Sequence, residues 1–175
     1  SMGISGLAAG AATIGCCCNM VGFAVASYRE NKVSGLISQG IGTSMLQMPN
    51  IVRKPIIWLP DIIASAVLGP VSTALLKMVS TPTGSGMGTA GLVGPFETYT
   101  AMASAGVEPV VVVLEIAIMH FVLPAIIALS VSETMRKLGW IKDGDSIIFC
   151  NFSCEFYFFV FITCKIHFIC IFYIM

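Results

Sequence analysis

Residues 80–102 read STPTGSGMGTAGLVGPFETYTAM, a stretch too apolar for a surface loop and too rich in glycine for a stable helix. Gly84, Gly86, Gly88, Gly91 and Gly94, with Pro82 and Pro95, weaken a helix by about 1 kcal/mol per glycine and about 3 kcal/mol per proline. The segment therefore reads as irregular backbone. A bilayer tolerates such backbone only where it lines a cavity or lies buried in protein, and transporters build substrate sites from interrupted segments of this kind. Glu97, two residues past Pro95, puts a carboxylate where unpaired amide and carbonyl groups are expected.

Composition sets the surroundings. Hydrophobic residues make up 57% of the chain and charged residues 10%, with a mean hydropathy of +0.93, whereas a soluble domain carries about 25% charged residues. The chain belongs in a bilayer. Nine basic and nine acidic residues cancel, so no basic patch points to nucleic acid as a partner. The opening SMGISGLAAGAATIG is apolar at once and has no basic leader region, which argues against a cleaved signal peptide. The chain is expected to be the later part of a longer membrane protein.

Three segments are long enough to cross a hydrocarbon core, which takes about 20 helical residues: 2–26, 56–76 and 109–131. In the first, Gly6-x-x-x-Gly10 either lets another helix approach the backbone closely or marks only a small-residue helix, since the pattern is common in apolar sequence. Residues 28–55 carry Arg29, Lys32, Arg53 and Lys54 around a milder apolar piece. Gly35, Gly40 and Gly42 disfavour a full helix there, so this piece dips into the membrane or lies on its surface. Arg136, Lys137 and Lys142 follow the third span. If both basic clusters are cytoplasmic, an even number of crossings separates them. Spans 56–76 and 109–131 supply two, so the glycine-rich stretch enters and leaves on one face as a re-entrant hairpin.

Residues 146–175 differ from the rest. They hold eight of the eleven phenylalanines and four of the seven cysteines, and no glycine, alanine, leucine or proline. This composition resembles a frameshifted or read-through end. An aromatic-rich membrane helix is the rival reading, with Glu155, Lys165 and His167 costly inside.

Among residues that could carry chemistry, Glu97 leads: a charged carboxylate accepts strong hydrogen bonds from sugar hydroxyls, although an acid there also suits the first turn of a helix. Glu115 and His120 share the third span five residues apart, on different faces. His120 either donates to a substrate or serves in proton transfer, or bonds a neighbouring carbonyl. Gln47 and Asn50 carry amides suited to a polyhydroxylated ligand, or are ordinary loop polarity. Asp61, at the head of the second span, reads best as a cap favoured by the helix dipole. Cys16, Cys17 and Cys18 point in different directions from one helix, and Cys164, His167 and Cys170 lack a fourth ligand, so no metal, cofactor or disulfide is assigned. The phosphate loop, HExxH and GxSxG signatures are missing. GSGMGTAG lacks the preceding strand and following soluble helix of a dinucleotide site.

Three runs, GTSMLQMPNIVRKP, TPTGSGMGTAGLVGPFETYTAM and ALSVSETMRKLGWIKDGD, resemble the membrane subunit IIC of the bacterial sugar phosphotransferase system (PTS), in the branch that includes the perfringolysin regulator PfoR. The resemblance covers residues 1–145, as the C-terminal part of a IIC domain, and leaves 146–175 as a divergent tail. It implies an all-α, multi-span membrane bundle in the bacterial inner membrane, homodimeric when full length. Such a bundle binds and translocates sugar while partner IIB and IIA proteins carry the phosphoryl chemistry, so the chain itself is not an enzyme. GLVGPFE resembles the GITEP-type loop of glucose-type IIC domains, with Gly94 in the place of the acid before proline and the acid at Glu97. Gly94, Glu97 and Thr98 thus form the candidate substrate site, joined by Gln47, Asn50, Glu115 and His120. Two alternatives remain open: a membrane sensor or regulator that kept the IIC scaffold, and an ion-coupled secondary transporter.

Overall fold

The computed structural model describes residues 5–142 and 144–148. The expectations for the divergent tail from residue 149 on lie outside the described residues. The fold is that of the unit within residues 4–147.

The described residues are helical, with one isolated bridge between Gly6 and Ser80. In chain order the α-helices are α1 (Leu7–Ala26), α2 (Tyr28–Ile37), α3 (Met48–Arg53), α4 (Leu59–Ala74), α5 (Pro82–Met87), α6 (Val93–Ser104), α7 (Pro109–Ile116) and α8 (Leu123–Lys137). Three continuous helical stretches are long and apolar enough to cross a membrane: Leu7–Ala26, Pro55–Ala74 and Pro109–Lys137. They match the three spans expected from hydropathy. The second opens with a 3-10 turn, Pro55–Trp58, and has Pro60 at the start of α4, where a missing N–H costs nothing. In the third, a π turn over Ala117–Val122 joins α7 to α8. The structure is an all-α membrane bundle.

The three long stretches pack on one another, and their Ile14, Cys18, Ala64, Leu68, Val112, Ile116 and Met119 form a common core with Met78 and with Met102 of α6. Ion pairs fix their directions. Arg29, just past α1, meets Glu133 near the end of α8 at 2.9 Å. Arg136 reaches the Ala26 carbonyl at 3.2 Å, and Lys54, just before the second stretch, pairs with Asp145. So α1 and α8 end where α4 begins, and both basic clusters share that end of the bundle, as the charge rule required.

At this basic end a polar clasp grips the chain beyond α8. Glu30 accepts from Arg136 at 3.1 Å and from the Gly144 and Ser146 amides at 3.2 and 2.7 Å. Asn31 and Gln47 both donate to the Ser146 carbonyl, at 2.8 and 3.0 Å, and Asn50 donates to the Ile147 carbonyl at 3.0 Å. The intervening residues avoid a single helix, as their glycines implied. The backbone breaks at Lys32 (φ 50°), forms a π turn over Ser38–Gly42 and a 3-10 turn over Ser44–Gln47, and then enters α3.

Two expectations follow from the clasp. The Arg136 and Glu30 side chains are only 7% and 5% exposed, and removing one partner of a buried pair costs about 3–5 kcal/mol. Glu30→Ala is expected to destabilise the protein by an amount of that order, read as a lowered thermal unfolding midpoint in detergent. Arg29→Ala, in a pair exposed at 61% and 31%, costs at most about 1 kcal/mol; equal losses in the two variants would disprove the ranking.

The second expectation concerns acid. Burial alone would raise the Asp145 carboxyl, but the Lys54 ammonium and the Lys142 amide, with the charges of both lysines, hold it below its ordinary value. A depressed carboxylate stabilises the fold above the unfolded-chain value, about 3.9, and that contribution disappears as the pH falls through the lower folded value. Hydrogen-exchange protection of the Lys142 amide, which donates to Asp145 at 2.7 Å, should fall over that window and should not change there in Asp145→Asn.

Candidate functional site

The glycine-rich stretch forms a two-helix hairpin seated on α1. Its first arm contains more helix than glycine content alone allows, a correction to the irregular backbone expected. Thr81, in extended conformation, caps α5: its Oγ1 accepts the Gly84 N–H at 3.3 Å, and Pro82 occupies the first turn. A threonine cap with proline behind it is a strong helix start, and six residues are all the glycines permit. The irregular backbone is confined to the tip, where Gly88, Gly91 and Leu92 adopt φ of 55°, 54° and 59°. There the Gly94 amide bonds the Gly88 carbonyl at 2.8 Å, and α6 starts back.

Small residues set how closely the hairpin sits. The Ser80 amide bonds the Gly6 carbonyl at 3.3 Å. A Cβ at Gly10 would overlap the Met78 carbonyl, and one at Gly88 would press on Cys16 at 2.8 Å. Gly10 thus admits a neighbour closely, the chain at 78–80 rather than another helix, whereas a Cβ at Gly6 would meet nothing within 4 Å. From Gly10 to Cys16 the hairpin descends about 9 Å along α1, roughly to its middle. It then returns, because Thr98 on α6 donates to Ser80 at 3.1 Å. It enters and leaves at the end opposite the basic clusters, the geometry of a re-entrant hairpin. At the tip, the buried Thr89 donates to the Gly40 carbonyl at 2.6 Å, which joins the hairpin to the π turn coming from the basic end.

Glu97 lies on α6 facing α5. Its Oε2 accepts the Thr81 hydroxyl at 2.6 Å, and its side chain packs over Gly84, where an added Cβ would approach Glu97 Cβ at 2.9 Å. The residue is half-buried. Thr81 therefore caps one helix and orients the carboxylate of the next. The sequence reading missed this cap, for which the Thr-Pro pair is the local signal, and its second role depends on the fold of the hairpin. Gly94 is buried one turn before Glu97, and Thr98 follows it at 1% exposure.

The other candidates lie elsewhere. Gln47 and Asn50 are buried in the clasp at the basic end, with Asn50 donating to Gln47 at 2.8 Å; the structure does not bring them to Glu97. His120 is fully buried in the π turn. The Ile116 carbonyl faces its ring without reaching hydrogen-bond geometry, and neither ring nitrogen has a partner. Glu115 is half-buried, with Oε2 likewise unpartnered. Asp61 is in the first turn of α4, as its dipole reading required, yet it makes no capping bond. Its carboxyl is 2% exposed and accepts no hydrogen bond.

The arrangement offers one oriented carboxylate, flanked by hydroxyls of Thr81, Ser80 and Thr98, at the base of a glycine hairpin. Such a group accepts charge-assisted hydrogen bonds from a neutral, hydroxyl-rich ligand. Fold and hairpin together define a membrane protein of the transporter class, built around interrupted helices. The family model described as Phosphotransferase system, EIIC matches residues 1–148, and the chain belongs to that family. It is a membrane permease component of a phosphotransferase system. No curated protein and no solved structure matches the chain.

The tight seat of the hairpin is testable by paired substitutions. A Cβ at Gly94 would overlap the Gly88 carbonyl and crowd Thr13, whereas one at Gly86 meets nothing within 4 Å. Gly94→Ala should destabilise the protein by about 1–3 kcal/mol, the usual cost of overpacking. Gly86→Ala should be neutral or slightly stabilising. Thermal unfolding in detergent reads both, and a tolerated Gly94→Ala would contradict the packing.

Proposed function

We propose that the chain is the sugar-binding and translocating part of a phosphoenolpyruvate-dependent PTS permease, with Glu97 as the principal ligand to sugar hydroxyls. The observation that carries this reading is the Thr81-oriented carboxylate at the base of the hairpin. Support also comes from Gly94. The resemblance puts an acid at that position in glucose-type relatives, but here any side chain would run into the Gly88 carbonyl. Glu97, three residues later on the same helix, presents its carboxylate on the same face. His120 and Glu115, whose buried polar atoms lack partners, are candidates for further ligand contacts in another state of the permease. Gln47 and Asn50 act in this proposal through the clasp rather than by touching sugar.

The same proposal places the basic end in the bacterial cytoplasm, where IIB would receive the sugar for phosphorylation and IIA would supply the phosphoryl group. The protein would cross the inner membrane several times and work as a homodimer. One observation favours a second reading: the absence of an acid at Gly94 suits a sensor or regulator of the PfoR type that retained the scaffold without productive transport.

Saturable binding of at least one sugar from a broad panel to the full-length protein in detergent is expected. Glu97→Gln should weaken it about tenfold or more, because a hydrogen bond to a charged group contributes about 1.5–3 kcal/mol. Undiminished binding in Glu97→Gln would remove Glu97 from the site, and no binding across the panel would favour the regulator.

A further inference from the structure

Asp61 is a buried acid that neither the hairpin site nor the clasp accounts for, and its surroundings are closed. On α1, Gly22 leaves a notch that the carboxyl fills: a Cβ there would overlap Asp61 Oδ1 and would also touch Ala128 of α8 at 3.2 Å. Cys18, one turn before Gly22, is the titratable group that α1 turns towards the carboxyl. Three helices therefore converge at this notch, where the Gly22 backbone and the Ala128 methyl group bound the carboxyl and Cys18 lies one turn away on the same face of α1. Neither oxygen has a donor, and the side chain is sealed from solvent.

The basic groups at this end of the bundle are engaged elsewhere. Lys54 precedes the second span and is engaged by Asp145. Arg136 is eight residues beyond Ala128, about two helical turns, and is held by Glu30 and the Ala26 carbonyl. His120 is eight residues before Ala128, and its ring nitrogens have no partner, Asp61 included. An anion in this notch would have lost its water without gaining a donor or a counter-charge, an arrangement that buried charges avoid. Gly22 lies four residues from the end of α1, about 6 Å, so water at the basic end is about one helical turn away.

We infer that Asp61 is a proton-binding site that controls the packing of α4 against α1 and α8. The bundle closes on the neutral acid. When the carboxyl O–H breaks, the proton passes to water at the basic end and the electron pair stays on the carboxylate; the charge then drives α4 away from Gly22 until water reaches the notch. This inference is independent of the sugar reading, because it concerns a different part of the bundle from Glu97.

Cys18 provides a reporter beside the site. In full-length protein carrying Cys16→Ser and Cys17→Ala, the rate of maleimide labelling at Cys18 is followed against pH by mass spectrometry. If labelling needs both thiol ionisation and the opening driven by Asp61, two protons must leave, and the logarithm of the rate should climb with a slope of about two. Asp61→Asn keeps the shape and removes the titration, so its slope should fall to about one, the thiol's own. Infrared spectra of the same proteins should show a protonated carboxylic-acid carbonyl band that Asp61→Asn loses. Asp61→Ser serves as a second neutral variant if the asparagine protein does not fold. Equal slopes in the acid and neutral proteins would overturn the coupling, and the absence of an Asp61-dependent acid band would overturn the site itself.

Discussion

The close contact between backbone and backbone along α1 is the constraint on which the hairpin depends. Gly10 lies against the Met78 carbonyl, Gly88 against Cys16, and Gly94 against the Gly88 carbonyl and Thr13. Lipid tails are as apolar as side chains, so helices in a membrane gain little by hiding apolar surface from one another. Close van der Waals packing through small residues takes that role. Here it seats an element too short and too glycine-rich to hold its shape alone. The polar contacts that define the candidate site, Thr81 to Glu97 and Thr98 to Ser80, exist because the two arms are pressed together at that spacing. A methyl group at any of these glycines would act on the site without touching the Thr81, Glu97, Thr98 or Ser80 side chains.

The two ends of the bundle solve the problem of buried polarity differently. At the basic end the amides of Asn31, Gln47 and Asn50 and the carboxylate of Glu30 are spent on the backbone at 144–147, so that a non-helical segment is satisfied almost entirely by side chains. At the opposite end the hairpin relies on the Thr81 cap, the Gly94–Gly88 backbone bond at its tip and the Ser80–Gly6 backbone bond to the start of α1. The two systems meet where Thr89 bonds the Gly40 carbonyl. Next to that contact, Gln39 is fully buried and tied to Ser27 at 2.7 Å. Gln39 and Gly40 belong to one π turn and His120 to the other. Widened turns of this kind often occur at functional positions. Here one brings a backbone carbonyl to the hairpin tip, and the other buries an imidazole within a span.

Hydropathy and the placement of basic residues made the spans and the re-entrant path legible, because both depend on length and charge along the chain. What stayed hidden depended on partners far away in sequence. Gln47 and Asn50 have the residue types of a sugar site, and nothing local indicated that their partners lie about a hundred positions later. Asp61 has the residue type and position of a helix cap, and only the arrival of Gly22 and Ala128 from two other helices turns it into a sealed carboxyl. The helix in α5 was missed for a different reason. Summed glycine propensities describe an isolated helix, whereas one cap, one proline and a close neighbour suffice for six residues.

The departure of GLVGPFE from the glucose-type loop has a physical cause in this structure. An acid at position 94 needs space between the hairpin tip and α1, and that space is taken by the Gly88 carbonyl and Thr13. A tip packed this tightly excludes a side chain at 94, so a carboxylate on that face of α6 has to come from the next turn. Glu97 occupies that turn, and Gly84 and Thr81 on the facing helix are shaped to receive it: one gives room for its side chain and the other donates to its oxygen. Gly94, Gly84, Thr81 and Glu97 therefore form one interdependent set. Moving the acid back to 94 would require loosening the tip, and keeping the tip closed requires the acid where it now stands.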